Sequence, residues 1–258
     1  MRIVVFASGS SGNCMLLSDR GTHLLIDAGI SMRRVQSSLA RAGISIDDIS
    51  GVLITHEHAD HISGLKMLLK YHGLPVYAPH TVAARLSGML PEVEEYLHVI
   101  PVGERFPLGC LTVRAFHTPH DTDESVGYRL EGEGSFAIAT DMGAVTPEVL
   151  EGLLGAQTVL IESNHDLGML CDGPYPVTLK RRILSDHGHL SNADCAVLAG
   201  QLVQSGTRNV ILGHLSRENN RPELALEASK KLLSGSGARL CCAPVFGFLC
   251  VETEELRC

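Results

Sequence analysis

His56-Glu57-His58-Ala59-Asp60-His61 crowds four metal-capable side chains, His56, His58, Asp60 and His61, into six residues. The preceding run Gly51-Val52-Leu53-Ile54-Thr55 is short, apolar and free of charge, which predicts a buried strand. After the cluster, Ile62 to Lys70 carries apolar residues at helical spacing. The cluster therefore falls where a strand ends and a helix begins, the position at which open α/β sheets gather active sites. His56 and His58 lie two apart in an extended segment, point the same way and can reach one ion. Asp60 and His61 lie past the bend and can reach a second. Imidazole nitrogen with carboxylate oxygen suits Zn, Mn or Fe, whereas Ca and Mg take mostly oxygen.

The rest of the chain has to hold that loop still. Its 258 residues are enough for one α/β domain with a large core, so a single domain over 1–258 is expected. Hydrophobic residues at 45% and charged residues at 19% exclude a disordered chain. A net charge of -8 gives no global attraction to nucleic acid, so phosphate binding must come from metal ions or a local patch. The apolar run at Met1–Ala7 is too short for a signal peptide. No run nears the roughly 20 residues that span a bilayer, so a cytoplasmic protein without a membrane partner is expected. The eight cysteines include no Cys-x-x-Cys pair, which predicts reduced thiols and no cysteine ligand.

Strands are predicted at Ile3–Phe6, Cys14–Leu17, Thr22–Ile26, Val76–Ala78, Leu97–Val102 and Leu111–Phe116, with helices at Ser31–Arg41 and Thr81–Leu90. A hairpin follows from Val126–Leu130 and Phe136–Thr140 around Gly132-Glu133-Gly134. Strands at Thr158–Glu162, Asn209–Leu212, Arg239–Cys242 and Gly247–Val251 alternate with helices at Pro147–Leu154, Val177–Ser185, Asn192–Gln204 and Pro222–Leu233. This is the alternation of a layered α/β fold. The loop Ser8-Gly9-Ser10-Ser11-Gly12-Asn13 can either hold an anion on its backbone N–H groups or simply turn a hairpin. Asp27, ending its strand, can orient a metal-bound histidine or cap the next helix. Lys180-Arg181-Arg182 and Arg217 can position a phosphate backbone, although a solvated helix face accounts equally well for the first three.

Thr55-His56-Glu57-His58-Ala59-Asp60-His61 resembles the signature of the metallo-β-lactamase superfamily. The resemblance implies a four-layer αββα sandwich and a binuclear centre. It assigns His56, His58 and His120 to one ion, Asp60, His61 and His214 to the other, and Asp141 between them. His120, in Thr118-Pro119-His120-Asp121, has His117 as its nearest rival. Gly188-His189-Leu190-Ser191-Asn192 is similar to the catalytic histidine loop of tRNase Z-type phosphodiesterases, and Glu162 to the carboxylate that pairs with that histidine. A competing reading makes Ser191 or Asn192 an ordinary helix N-cap and His189 a bystander.

With the Ser8–Asn13 loop, Glu162-Ser163-Asn164-His165-Asp166 and His214-Leu215-Ser216-Arg217-Glu218-Asn219-Asn220, the likeness narrows to the YycJ/WalJ-like group and runs over essentially the whole chain. That implies a metal-dependent 5′ to 3′ DNA exonuclease with two divalent ions (Zn or Mn, with Fe also suited) and a bridging hydroxide oriented by Asp60. His189 and Glu162 would assist departure of the leaving oxygen. Ser10, Ser11, Asn13 and Arg217 would touch the substrate, and no obligate protein partner is implied. Rival readings are a glyoxalase II-like thioesterase, which shares the ligand set, an RNA-directed nuclease of the tRNase Z type, and a non-catalytic nucleic-acid binder.

Overall fold

Arg2–Ala7 (β1), Cys14–Asp19 (β2) and Thr22–Ile26 (β3) pair antiparallel in the computed structural model, which describes residues 1–253. The last five residues of the expected domain, Cys258 among them, lie outside that range. Every residue of β2 is buried, which explains why its first four, Cys14–Leu17, read as apolar without alternation. Met32–Ala42 (α1) then buries Val35, Leu39 and Ala42, spaced one helical face apart, and stops at Gly43 in the left-handed conformation. Gly51–Leu53 (β4), Ala59–Ile62 (α2), Leu65–His72 (α3), Val76–Pro79 (β5), His80–Met89 (α4) and Leu97–Ile100 (β6) follow. Arg105–Leu108 (β7) and Leu111–His117 (β8) form an antiparallel pair.

The chain continues through Val126–Glu131 (β9), Ser135–Ala139 (β10), Pro147–Leu153 (α5), Thr158–Glu162 (β11), Leu167–Asp172 (α6), Val177–Ile183 (α7) and Asn192–Gln204 (α8). Asn209–Gly213 (β12), Pro222–Leu233 (α9), Arg239–Cys242 (β13) and Leu249–Glu252 (β14) complete it. Among the described residues the strands make two seven-stranded sheets, ordered β14-β1-β2-β3-β4-β5-β6 and β13-β12-β11-β10-β9-β8-β7. Both are mixed: β3 to β6 run parallel in the first, and β10 to β13 in the second. No helix among the described residues is long and apolar enough to cross a membrane.

The chain divides into two compact units. One holds Met1–Ala115, Leu130–Gly134 and the segment from Pro244; its core joins Val4, Leu16, Leu25 and Val52 to Val35, Leu39, Leu65 and Leu68 from the helices. The other holds Phe116–Arg129 and Ser135–Ala243, with Ala137, Val159, Ile161 and Val210 packed against Val149, Leu198, Leu202 and Ala225. The described cysteines are free thiols.

β7, α6 and the α2–α3 segment are among the departures from the sequence expectation. β7, which was not among the expected strands, contains Pro107 and lies at the edge of its sheet, where a proline is tolerated. α6 has six residues, too few for periodicity, and is started by Asp166, whose carboxylate accepts the N–H of Met169 at 2.9 Å. The helix expected from Ile62 is split into α2 and α3 around Gly64, where a Cβ would lie 1.9 Å from the carbonyl oxygen of Ile30.

Candidate metal centre

In the first unit, parallel strands β3 and β4 end side by side and deliver Asp27 and the His56–His61 loop to one edge. Asp27 holds φ +58°, a left-handed conformation unusual for an aspartate, and is buried. Its Oδ1 accepts the Thr55 N–H at 2.9 Å, and its Oδ2 lies 2.8 Å from His61 Nδ1. Ser31, not Asp27, is the N-cap of α1. The Thr55 hydroxyl donates to Asp27 at 3.0 Å and lies 3.0 Å from His56 Nδ1.

One hydroxyl proton serves Asp27, so the Thr55 oxygen accepts from His56. The hydrogen-bond network thereby assigns the proton of both His56 and His61 to Nδ1 and leaves each Nε2 a lone pair that suits a metal, that of His61 facing the Asn13 amide nitrogen at 2.9 Å in this structure. The rings cluster, with centroids 4.6 Å apart for His56 and His58 and 4.0 Å for His56 and His61. Asp27→Asn keeps the shape but loses the charge that orients His61. It is expected to weaken metal affinity by roughly 10- to 100-fold, measured by competition with a chelating dye; unchanged affinity would leave Asp27 a packing residue.

The Ser8–Asn13 loop backs this cluster. Asn13 is buried and turned inward: its amide nitrogen lies 3.2 Å from the Gly9 oxygen, 3.3 Å from Asp60 Oδ2 and 2.9 Å from His61 Nε2. Ser10 and Ser11 stay exposed. The Asn13 N–H donates to the Asp60 carbonyl at 2.7 Å, and the Gly29 N–H donates to the Asn13 carbonyl at 2.8 Å. The three segments touch backbone to backbone at Gly29, where a Cβ would fall 1.6 Å from the Asp60 oxygen. Gly29→Ala is therefore expected to cost at least about 3 kcal/mol, read as a lowered midpoint in urea unfolding. A midpoint equal to wild type would refute this close-packing account.

In the second unit, β10, β11 and β12 run parallel and in register, pairing Ala139 with Ile161 and Glu162 with Gly213. Their carboxyl ends therefore set Asp141, Glu162 and His214 next to one another. Asp141 and His214 carry φ +56° and +52°, so both strands turn sharply as they present these side chains. Asp141, Glu162, His189 and His214 offer ligand atoms all within 4.8 Å of one another. Asp141 Oδ1 is 3.0 Å from His214 Nδ1 and 3.8 Å from His120 Nε2. His120 is buried; His117 is half exposed and lies 3.1 Å from Glu148 Oε1.

Glu162 is fully buried and commits both oxygens: Oε2 accepts the Met142 N–H at 2.8 Å, and Oε1 is 2.7 Å from His189 Nδ1. Burial alone would lower the basicity of His189, but the Glu162 carboxylate outweighs it, with Asp141 and Asp121 adding, and pushes its pKa up to about 9. Opposed in the same way by burial, the Asp141 charge raises the pKa of His214. In His120 burial prevails and the pKa falls. Ser191 does cap α8, accepting the Asp194 N–H at 3.1 Å, while His189 two residues before it bonds Glu162.

Sequence reasoning missed the framework behind these groups. Asn192 and Asn220 bond each other reciprocally at 2.9 and 2.8 Å, Ser163 donates to Asn192 at 2.7 Å, and Asn164 donates to the His214 carbonyl at 2.9 Å. Asn164, two residues past the end of β11, was the available signal. Asp121 was also missed: its Oδ1 lies 3.2 Å from His120 Nε2, and it pairs with Arg182. Lys180 binds the Cys171 carbonyl at 2.6 Å, and Arg217 is exposed.

Residues 22–215 match the beta-lactamase superfamily domain. The chain is 37% identical over 237 residues to the exodeoxyribonuclease YycJ of Bacillus anthracis, covering 90% of this chain and 89% of that one. It is 38% identical over 225 residues to the exodeoxyribonuclease WalJ of Streptococcus pneumoniae, covering 86% and 84%. The crystal structure of the metallo-beta-lactamase fold protein YhfI from Bacillus subtilis superposes with a TM-score of 0.72 at 14% identity, over 97% of this chain and 99% of that one. That likeness shows the metallo-β-lactamase fold, the class expected from the sequence. The donor set of imidazoles and carboxylates in each unit suits divalent metal ions. This chain belongs to the β-lactamase superfamily, as an enzyme of the metallo-β-lactamase fold related to YycJ and WalJ.

Proposed function

We propose that the protein is a two-metal phosphodiesterase that shortens DNA from its 5′ end. In this reading His56, His58 and His120 would hold one ion, Asp60, His61 and His214 the other, and Asp141 would serve both. Zn or Mn is favoured by the donor chemistry, and Fe is compatible with it. When bound, such a pair of ions supplies a hydroxide nucleophile and offsets charge on the phosphate oxygens. Asp60 orients the attack.

The observation that carries the reading is the Glu162–His189 pair at 2.7 Å, with a pKa for His189 near 9. Nδ1 is bound to Glu162, so the charged ring keeps its Nε2 proton at neutral pH for an oxygen leaving from phosphorus. As the phosphorus–oxygen bond breaks, that proton passes to the departing oxygen, and the Glu162 charge holds the ring in place. A thiolate leaving from a thioester needs no such donor, which favours phosphodiesters over a glyoxalase II-like substrate. DNA is favoured over RNA because YycJ and WalJ are exodeoxyribonucleases. Exposed Ser10, Ser11 and Arg217 are the proposed substrate contacts; Asn13, bonded inward, would act by fixing the loop. A cytoplasmic enzyme without an obligate partner completes the proposal.

The test is incubation with 5′- and 3′-labelled single- and double-stranded DNA and RNA in Mn²⁺ and Zn²⁺, beside a glutathione thioester and bis-p-nitrophenyl phosphate. Release of mononucleotides from the 5′ label of DNA is expected. Hydrolysis of the thioester with both phosphodiester classes untouched would overturn the reading.

A further inference from the structure

We propose that α1 carries a track for the phosphate backbone of single-stranded DNA, formed by Arg34 and Arg41 stacked on Phe246 and Phe248. This rests on the nuclease reading and names the surface that feeds it. All four residues belong to the first unit. The Arg34 guanidinium carbon lies 3.8 Å from the centre of the Phe246 ring, and that of Arg41 lies 4.3 Å from the centre of Phe248. Phe248 is itself stacked on buried Phe6, with ring centroids 6.3 Å apart, so the platform under Arg41 is fixed to the core.

Stacking covers one face of each guanidinium and leaves its in-plane N–H donors for an anion. It also removes much of the side-chain freedom that a phosphate contact would otherwise have to quench. Among the described residues neither arginine is in an ion pair with a carboxylate, although the chain carries a net charge of -8. Both are exposed, as is Arg33 beside them. The helix dipole does not account for Arg33 and Arg34. They occupy the first turn of a helix whose dipole favours acidic groups there, and that turn holds none.

Position and spacing select the partner. Arg34 and Arg41 are seven residues apart on one face, about 10 Å along the axis, a reach of about three phosphates of a stacked strand. The helix starts just after Gly29, which is packed against the Asp60 carbonyl, and Ala28 donates to the His61 carbonyl at 2.8 Å. The track therefore begins beside the metal-binding loop and leads away from it. A positively charged groove that tracks the backbone, with arginine cation–π contacts adding to it, is a usual means of gripping a single strand regardless of its sequence.

The test is fluorescence anisotropy with a labelled thymidine oligonucleotide carrying phosphorothioate linkages, titrated at several salt concentrations. Arg34→Ala/Arg41→Ala is expected to bind about ten-fold more weakly and to lower the slope of log K against log salt by about 1.4, since each single-strand phosphate contact contributes about 0.7. An unchanged thermal midpoint verifies its fold. Arg34→Lys/Arg41→Lys is expected to keep the slope and lose part of the affinity, because the charges remain and the stacking does not. Wild-type slope and affinity in the alanine variant would overturn the track alone. A wild-type protein that cleaves bis-p-nitrophenyl phosphate but binds no oligonucleotide would overturn the DNA reading as well.

Discussion

Asp141→Ala is expected to abolish phosphodiesterase activity, by at least about a thousand-fold, and to lower the metal bound per chain. The carboxylate lies among three imidazoles, 3.0 Å from His214 Nδ1, 3.8 Å from His120 Nε2 and 3.9 Å from His189 Nδ1. A carboxylate so placed can bridge two cations and neutralise charge that the histidines alone leave uncompensated. Alanine removes the donor and leaves His214 buried without the Asp141 charge, with Glu162 3.4 Å away. Asp141→Asn separates geometry from charge. It keeps one oxygen in place, so it should retain more metal than alanine while still losing most turnover. Metal analysis by plasma mass spectrometry and hydrolysis of bis-p-nitrophenyl phosphate measure the two effects. An alanine variant with full metal content and full turnover would remove Asp141 from the centre.

The readable and hidden parts of this molecule divide along a physical line. β10, β11 and β12 are apolar runs closed by a polar group, and parallel strands buried on both faces must read that way. Their ends could be located from local pattern, whereas the roles of Asp141, Glu162 and His214 at those ends were expected only from the family resemblance. The His56–His61 loop was readable for a similar reason, since dense ligands after a buried strand leave little else to explain. What pattern could not supply is which side chains answer one another across the chain. Thr55 meets Asp27 from 28 positions away, Asn13 meets His61 from 48, and Arg182 meets Asp121 from 61. Asn13 illustrates the cost: a polar residue in a glycine–serine loop suggests an open contact with substrate, whereas its amide is bonded to the loop itself. β7 was hidden because Pro107 is penalised in a strand unless the strand is at an edge, and edge position is a property of the folded sheet.

His189→Ala should leave metal content intact while cutting phosphodiesterase turnover by about 100-fold or more, the range expected when a positioned general acid is lost. The two measurements together are what make the result informative. A ligand variant loses both, a bystander loses neither, and a proton donor loses turnover alone. His189 is set for the last case by Glu162, whose second oxygen is tied to the Met142 N–H and which therefore cannot swing away from the ring. The direction with pH follows from the same pair. A pKa raised to about 9 keeps the ring charged below that value, so the fraction able to donate is complete at neutral pH and falls as pH rises through about 9. The wild-type rate should decline there, and the decline assigned to His189 should vanish in the alanine variant. Glu162→Gln tests the cause. It removes the charge that sustains the imidazolium, so its alkaline limb should move to lower pH with metal content kept. A Glu162→Gln limb that stays where wild type has it would show that another group governs the proton transfer. Substrate choice supplies one further discrimination: an activated ester with a good leaving group needs little protonation, so His189→Ala should be impaired less on p-nitrophenyl phosphodiesters than on DNA, whose leaving alkoxide needs a proton.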